Sequence, residues 1–261
     1  MIIREAEPRD IEPALAAMSD AFGLQLRAPT VHTLVAASPD GTLLVAERGG
    51  EIVGTAASVG FGPTGWLGGV TVTPQARGNG LGRQLTEAAI DALGERDTIL
   101  LLATPMGRPV YEKLGFEADG TYRVFTSGAQ RPEQTVELRD VTPADHDAIK
   151  ALDRRVTGED RSLVLDASLE GAKATPDLEA VALRPPWPAL PIIGDPAAAT
   201  TLLTSLIEPG LRIAVPDENA SAVNLLRLLG REQRTVTRMR RGPAVEWRPD
   251  EVWGVFSLFF G

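Results

Sequence analysis

The chain has no cysteine. That excludes disulfides, thiolate metal sites and a cysteine nucleophile. Histidine is nearly as scarce, and His32 and His146 are too few for a histidine-rich metal centre. No metal is expected. Lysine appears only as Lys113, Lys150 and Lys173 beside abundant arginine, a bias that reads as genome composition. No apolar run approaches the ~18 to 20 residues needed to cross a bilayer. The stretch Met1 to Glu5 lacks the basic-then-apolar pattern of a secretory signal. The expected location is cytoplasmic. Positive charge is not in excess either: the formal net charge is −9. That balance disfavours nonspecific nucleic-acid binding and docking on anionic membranes, and mildly favours a cationic acceptor such as an amine.

What is present is an ordinary globular composition, 43% hydrophobic and 23% charged over 261 residues. That length suits one large domain or two of usual size. Internal comparison favours two. Ile3-Arg4-Glu5-Ala6-Glu7-Pro8-Arg9-Asp10 is echoed by Leu138-Arg139-Asp140-Val141-Thr142-Pro143-Ala144-Asp145. Each reads as a short strand and a Pro/Asp turn that caps a helix, predicted over Ile11 to Met18 and Asp147 to Leu152. Near the end of each half, Leu114-Gly115 before Tyr122-Arg123-Val124-Phe125 is echoed by Leu229-Gly230 before Val236-Thr237-Arg238-Met239. The boundary is expected in the polar stretch Ser127 to Pro132, giving domains 1–130 and 131–261. The alternative is one continuous domain.

The first half reads as α/β. Strands are predicted over Thr42 to Glu47 and Ile52 to Val59, joined by a Gly49-Gly50 turn. A further strand covers Trp66 to Val72. Leu81, Leu85, Ala88, Ala89 and Leu93 then recur at helical spacing, and Thr98 to Leu102 is apolar enough for a strand buried on both faces.

The informative stretch is Val70-Thr71-Val72-Thr73-Pro74-Gln75-Ala76-Arg77-Gly78-Asn79-Gly80-Leu81-Gly82-Arg83. A strand ends, a loop with three glycines follows, and an amphipathic helix begins. Glycines allow close approach of the backbone to a ligand. The first-turn N–H groups of a helix lack internal partners and carry its positive dipole end. Together they suit a phosphate or pyrophosphate, with Arg77 and Arg83 adding charge. The dinucleotide-binding pattern does not fit the spacing, and the triphosphate loop's Gly-Lys-Ser/Thr ending is missing.

With those residues in view, the chain closely resembles the GNAT acyltransferase superfamily. Arg77-x-x-Gly80-x-Gly82 matches that family's pyrophosphate pattern, and Tyr111-Glu112-Lys113-Leu114-Gly115-Phe116 matches its second motif. The segment from Ala103 to Tyr111 looks like tandem members of the YitH/HsdE type, whose second half is a degenerate GNAT-like domain. The resemblance implies a fold of two tandem α/β (α+β) domains, each a mixed, mostly antiparallel sheet flanked by helices. It implies that Val70, Thr71 and Val72 offer backbone groups to the pantetheine arm. Arg77, Gly78, Asn79, Gly80, Leu81, Gly82 and Arg83 should hold the pyrophosphate, and Tyr111 should serve the departing thiol as acid or hydrogen-bond donor. The other reading of Tyr111 is an aromatic packed on Phe116. His32 falls where the family's substrate loop should lie, and it also reads as a plain helix residue.

The second half keeps Asn219-x-x-Ala222-x-x-x-Leu226-x-x-Leu229-Gly230, with Leu226 standing where Tyr111 stands in the first. Where a phosphate loop should lie it reads Ile192-Ile193-Gly194-Asp195-Pro196, with one glycine, no arginine and a carboxylate that repels phosphate. This half is expected to complete a core and not to bind coenzyme A. The apolar tail from Val252 to Gly261 reads as a packed strand, Arg184 to Pro188 as a connector or rigid loop, and Arg234 to Arg241 as a solvated strand face.

The expected function is an N-acyltransferase with acetyl-coenzyme A or another acyl-coenzyme A as cosubstrate and a small-molecule amine as acceptor. Two alternatives stand beside it: a donor thioester on an acyl carrier protein, and a non-catalytic acyl-coenzyme A-binding protein.

Overall fold

A computed structural model describes residues 1–23, 25–128 and 137–261. It divides into unit 1 (Met1–Glu117, Met239–Pro243 and Phe260) and unit 2 (Ala118–Arg238, Ala244–Phe259 and Gly261). The expected boundary at 130/131, with residues 129–132 of the linker, lies outside the described residues.

In unit 1, strands β1 (Ile2–Glu5), β2 (Gly41–Arg48), β3 (Glu51–Phe61), β4 (Thr64–Val72) and β5 (Thr98–Ala103) lie in that order across the sheet. All neighbours are antiparallel except β4 and β5, which are parallel. Helices α1 (Ile11–Phe22) and α2 (Val31–Ala36) precede β2, α3 (Leu81–Leu93) joins β4 to β5, and α4 (Arg108–Glu112) follows β5. Leu81, Leu85, Ala89 and Leu93 sit one turn apart on α3 and are buried against Leu44, Ala46, Val53 and Leu67 of the sheet. That apolar stripe is why α3 lies across strands β2 to β4.

Unit 2 contains β6 (Glu117–Ser127, from Ala118 on), β7 (Arg139–Asp140), α5 (His146–Thr157), α6 (Ser162–Asp166), β8 (Lys173–Ala174), β9 (Ala180–Ala182), β10 (Ile192–Gly194), α7 (Pro196–Leu206), β11 (Arg212–Pro216), α8 (Ala220–Leu229), β12 (Gly230–Arg241, its last three residues in unit 1) and β13 (Val252–Gly254). Strands β7, β8, β9, β10 and β13 form one antiparallel sheet in that order. Strand β6 pairs antiparallel with β11 and has β12 on its other edge. Leu202, Leu203, Val223, Leu226 and Trp253 are buried in its core. The architecture is thus α/β with mixed, mostly antiparallel sheets flanked by helices.

The opening of each half builds the same clamp. Arg4 donates to both carboxylate oxygens of Asp10 at 2.5 and 3.1 Å, and Asp10 also accepts from the Glu7 N–H at 2.8 Å. Arg139 does so to Asp145 at 2.8 and 2.9 Å, and Asp145 accepts from the Thr142 N–H at 2.8 Å. The 12-residue helices that follow both end on a left-handed glycine, Gly23 and Gly158. The echo in sequence is therefore an echo of one hydrogen-bonded turn.

Arg4 and the Glu7 N–H hold the Asp10 carboxyl down at about 2, and Arg139 holds that of Asp145 below the usual range as well. A depressed carboxyl contributes stability that is complete above its ordinary value near 4 and is lost as pH falls toward the folded value. Thermal unfolding followed from pH 5 to pH 2 should therefore show the midpoint falling most steeply below pH 4. Asp10→Asn is expected to flatten that slope while lowering the midpoint at neutral pH.

Two sequence readings are corrected here, and a third gains detail. Only Val252–Gly254 of the tail is strand, because its partner β10 is itself three residues long and the register between them shifts. The remainder is irregular yet mostly buried, with Phe256 and Phe259 in unit 2 and Phe260 edge-on to Phe61 in unit 1 at 5.3 Å between ring centroids. Arg238 is not on a solvated face: it is buried, paired with Asp119 and stacked 4.5 Å above the Trp247 ring. In the stretch Arg184 to Pro188, Trp187 is buried and donates its indole N–H to the Phe256 carbonyl at 2.8 Å.

Candidate active site

The site begins where β4 and β5 part. Their parallel pairing runs only from Thr64 opposite Thr98 to Leu67 opposite Leu101. On its other edge β4 stays paired with β3 as far as Val72. Residues Gly68 to Val72 therefore turn one backbone edge toward the gap that β5 has left. An extended chain of amides such as a pantetheine arm can pair with such an edge in the manner of an added strand.

The parting coincides with a bulge. Ala57 faces Gly68 and Thr55 faces Thr71, so two residues of β4 stand opposite Ala56 alone. Gly69 holds φ +57°, a left-handed conformation open to glycine. A Cβ at Gly69 would also lie 3.0 Å from Nε2 of His32 and 3.4 Å from Cε of Met18. His32 is thus packed beneath the bulge, with α2 held in place by a Thr30–Thr33 capping box. Burial presses its imidazole down to about 4, so it is neutral near pH 7.

Beyond Val72 the chain makes a 3-10 turn over Pro74–Ala76 and enters the glycine loop. Gly80 is the N-cap of α3 at φ +72°, with no side chain to cap the helix. The first helical bond runs from the Gln84 N–H to the Gly80 carbonyl. The N–H groups of Leu81, Gly82 and Arg83 precede it, at the positive end of a 13-residue helix. Arg77 donates Nε to the Val72 carbonyl at 3.1 Å, tying the loop to the strand end. Arg83 is exposed and pairs with Glu87 at 2.9 Å on the next turn.

Tyr111 is half-buried on α4, edge-on to Phe116 at 6.1 Å, and packs on the same apolar cluster as Val70 and Val72. Burial pushes its hydroxyl up to about 12. Packing on Phe116 is therefore a feature of this ring. Among the described residues, no group of three or more His, Asp or Glu is placed to hold a metal ion, and no helix is long and apolar enough to cross a membrane.

In unit 2 the helix after β10 is built differently. Asp195 caps α7, accepting from the N–H groups of Ala197 and Ala198 at 2.9 and 3.1 Å. The donors that α3 leaves uncapped are satisfied in α7 by a carboxylate of the chain itself. Leu226, the counterpart of Tyr111, is fully buried in the core.

A strand that separates from its parallel neighbour, a bulge, and an uncapped glycine-bounded helix start make up the candidate site. Residues 39–118 match the family model described as "Acetyltransferase (GNAT) domain". It is 32% identical over 119 residues to YitH of Bacillus subtilis (strain 168), described as an uncharacterized N-acetyltransferase; the match covers 44% of this chain and 42% of YitH, so the chain spans less than half of that relative. A solved structure from Pyrococcus horikoshii, provisionally assigned as an acetyltransferase, superposes on all of this chain and 95% of its own with a TM-score of 0.85 at 24% identity. A GCN5-related N-acetyltransferase of Anabaena variabilis reaches 0.52 at 14% identity, over 92% of this chain and 72% of that one. At these identities the two structures speak for the fold.

Two participants escaped the reading of the sequence, Gly69 and Thr55. The signal for the first was the Gly68-Gly69 pair inside a predicted strand, since glycine there marks a bulge or a close backbone approach. Nothing in the sequence alone pairs Thr55 with it.

Proposed function

We propose that the chain transfers an acetyl or other short acyl group from coenzyme A to the primary amine of a small molecule. The observation that carries this reading is the backbone edge of Gly68 to Val72 leading into the uncapped start of α3. One length of backbone thus offers partners for the amides of a pantetheine arm and then for a pyrophosphate. The acyl donor supplies an activated thioester: the amine nitrogen forms the amide C–N bond, the C–S bond breaks, and the amine's surplus proton ends on the thiol.

The chain's own residues do the rest. Backbone N–H groups of Leu81 to Arg83 hold the pyrophosphate charge. Tyr111 donates a hydrogen bond to the sulfur as negative charge builds there. With its hydroxyl near 12 against about 8.5 for a thiol, it stabilises that charge without surrendering its proton. No carboxylate lies on Trp66 to Val72, and His32, near 4, is a weak base. An amine of pKa about 10.4 must lose its proton at a cost of roughly 4 to 5 kcal/mol at pH 7, and positioning of the reactants offsets much of this. The second half, with its helix start capped by Asp195, completes the fold without a donor site of its own. The test is a screen of small amines with acetyl-coenzyme A, reading thiol release and acetylated product. Transfer only from a carrier-protein thioester, or binding without any transfer, would replace this reading.

A further inference from the structure

The bulge in β4 is fixed by two hydroxyls. Thr55 of β3 is fully buried and its Oγ1 donates to the Gly69 carbonyl at 2.7 Å. Its Oγ1 also lies 2.7 Å from Oγ1 of Thr71, the residue directly opposite it. A hydroxyl has one proton. Since that of Thr55 goes to the Gly69 carbonyl, the Thr71 hydroxyl must donate to Thr55. The result is a directed relay, Thr71 to Thr55 to Gly69.

The relay sets the orientation of one peptide group. The Gly69–Val70 bond is trans, the sole cis bond of the described chain being Ala28–Pro29, and in a trans peptide C=O and N–H point in opposite directions. With the Gly69 carbonyl drawn toward Thr55 on β3, the Val70 N–H points away from β3. That is the side on which β5 has parted from β4 after Leu67. His32 and Met18 occupy the space that a side chain at Gly69 would enter.

We propose that Thr55, through the Gly69 carbonyl, is a positioning residue that aims the Val70 N–H at the thioester carbonyl oxygen, with Thr71 holding Thr55 in its donating orientation. This rests on the proposed function, because it needs a thioester on the open edge of β4. A donor fixed before reaction contributes where charge builds on that oxygen and little to binding of the remainder of the cosubstrate.

The test uses the full chain with [1-13C]acetyl-coenzyme A. In Thr55→Val, affinity by calorimetry should stay within about 3-fold of the unaltered chain, because the pyrophosphate seat is untouched. Turnover should fall about 10-fold, equal to about 1.4 kcal/mol in the barrier, with KM little changed. The infrared band of the labelled carbonyl should move to higher wavenumber in the variant, and Thr55→Ser, which keeps the hydroxyl, should restore it. A measurement without substitution guards against misfolding: the Val70 amide proton should shift downfield with acetyl-coenzyme A relative to free coenzyme A. An unaltered chain that binds no acetyl-coenzyme A overturns the proposed function, and this inference with it. Binding with an unmoved carbonyl band in Thr55→Val and no Val70 shift overturns this inference alone.

Discussion

Replacing Gly80 with glutamate is expected to weaken acetyl-coenzyme A binding at least about 100-fold, roughly 2.7 kcal/mol, in a chain that still folds. Two effects act together. Gly80 holds φ +72° as the N-cap of α3, a conformation that costs a residue with a side chain about 1 to 2 kcal/mol. The local peptide would therefore turn away from its present course and carry the following N–H groups with it. The new carboxylate would also stand at the mouth of those donors, where it competes with pyrophosphate and repels it. No atom lies within 4 Å of the position a Cβ would take, so the core is spared. Unit 2 displays the end state of such a change, since Asp195 already occupies the donors of α7. Calorimetry for affinity, beside circular dichroism for folding, distinguishes lost binding from a lost fold.

Tyr111→Phe is expected to lower turnover by about 10- to 100-fold with acetyl-coenzyme A affinity nearly unchanged. The ring makes its packing contact with Phe116 through the edge, and phenylalanine keeps that contact. What is lost is one hydrogen bond to a sulfur that becomes charged only during reaction. The pH profile distinguishes this role from that of a titrating acid. With its hydroxyl pushed up to about 12, Tyr111 keeps its proton across the accessible range. Turnover should rise with pH as the amine acceptor deprotonates, with no falling limb from Tyr111 below about pH 11. A falling limb between pH 8 and 9 that disappears in Tyr111→Phe would instead make the tyrosine an ionising acid.

The order of elements in unit 1 was readable because its signals are local. Leu81, Leu85, Ala89 and Leu93 mark one helix face, and the Gly49-Gly50 turn separates two β-rich runs. The loop from Arg77 to Arg83 was readable for the same reason, since uncapped donors and glycine conformations follow from short spacings. What depends on cross-strand geometry was not. The parting of β4 from β5 at Leu67, the bulge at Gly69 and the hydroxyl of Thr55 are relations between segments 14 or more residues apart. Arg238 misled for a related reason. Its alternation along β12 was correct for a strand, but Asp119 and Trp247 supply the partners that bury it. For Asp195 the sequence indicated repulsion of phosphate, and the structure adds the cause of its presence as the cap of α7.

The central claim is that acetyl-coenzyme A lies on the start of α3 and not on that of α7. Amide chemical shifts of the 15N-labelled chain, followed during titration with acetyl-coenzyme A, test it most directly. Saturable shifts are expected for Gly80 to Arg83 and for Gly69 to Val72, with Ala197 and Ala198 unmoved. Absence of saturable shifts in the α3 loop, or shifts centred on Ala197 and Ala198, would contradict it.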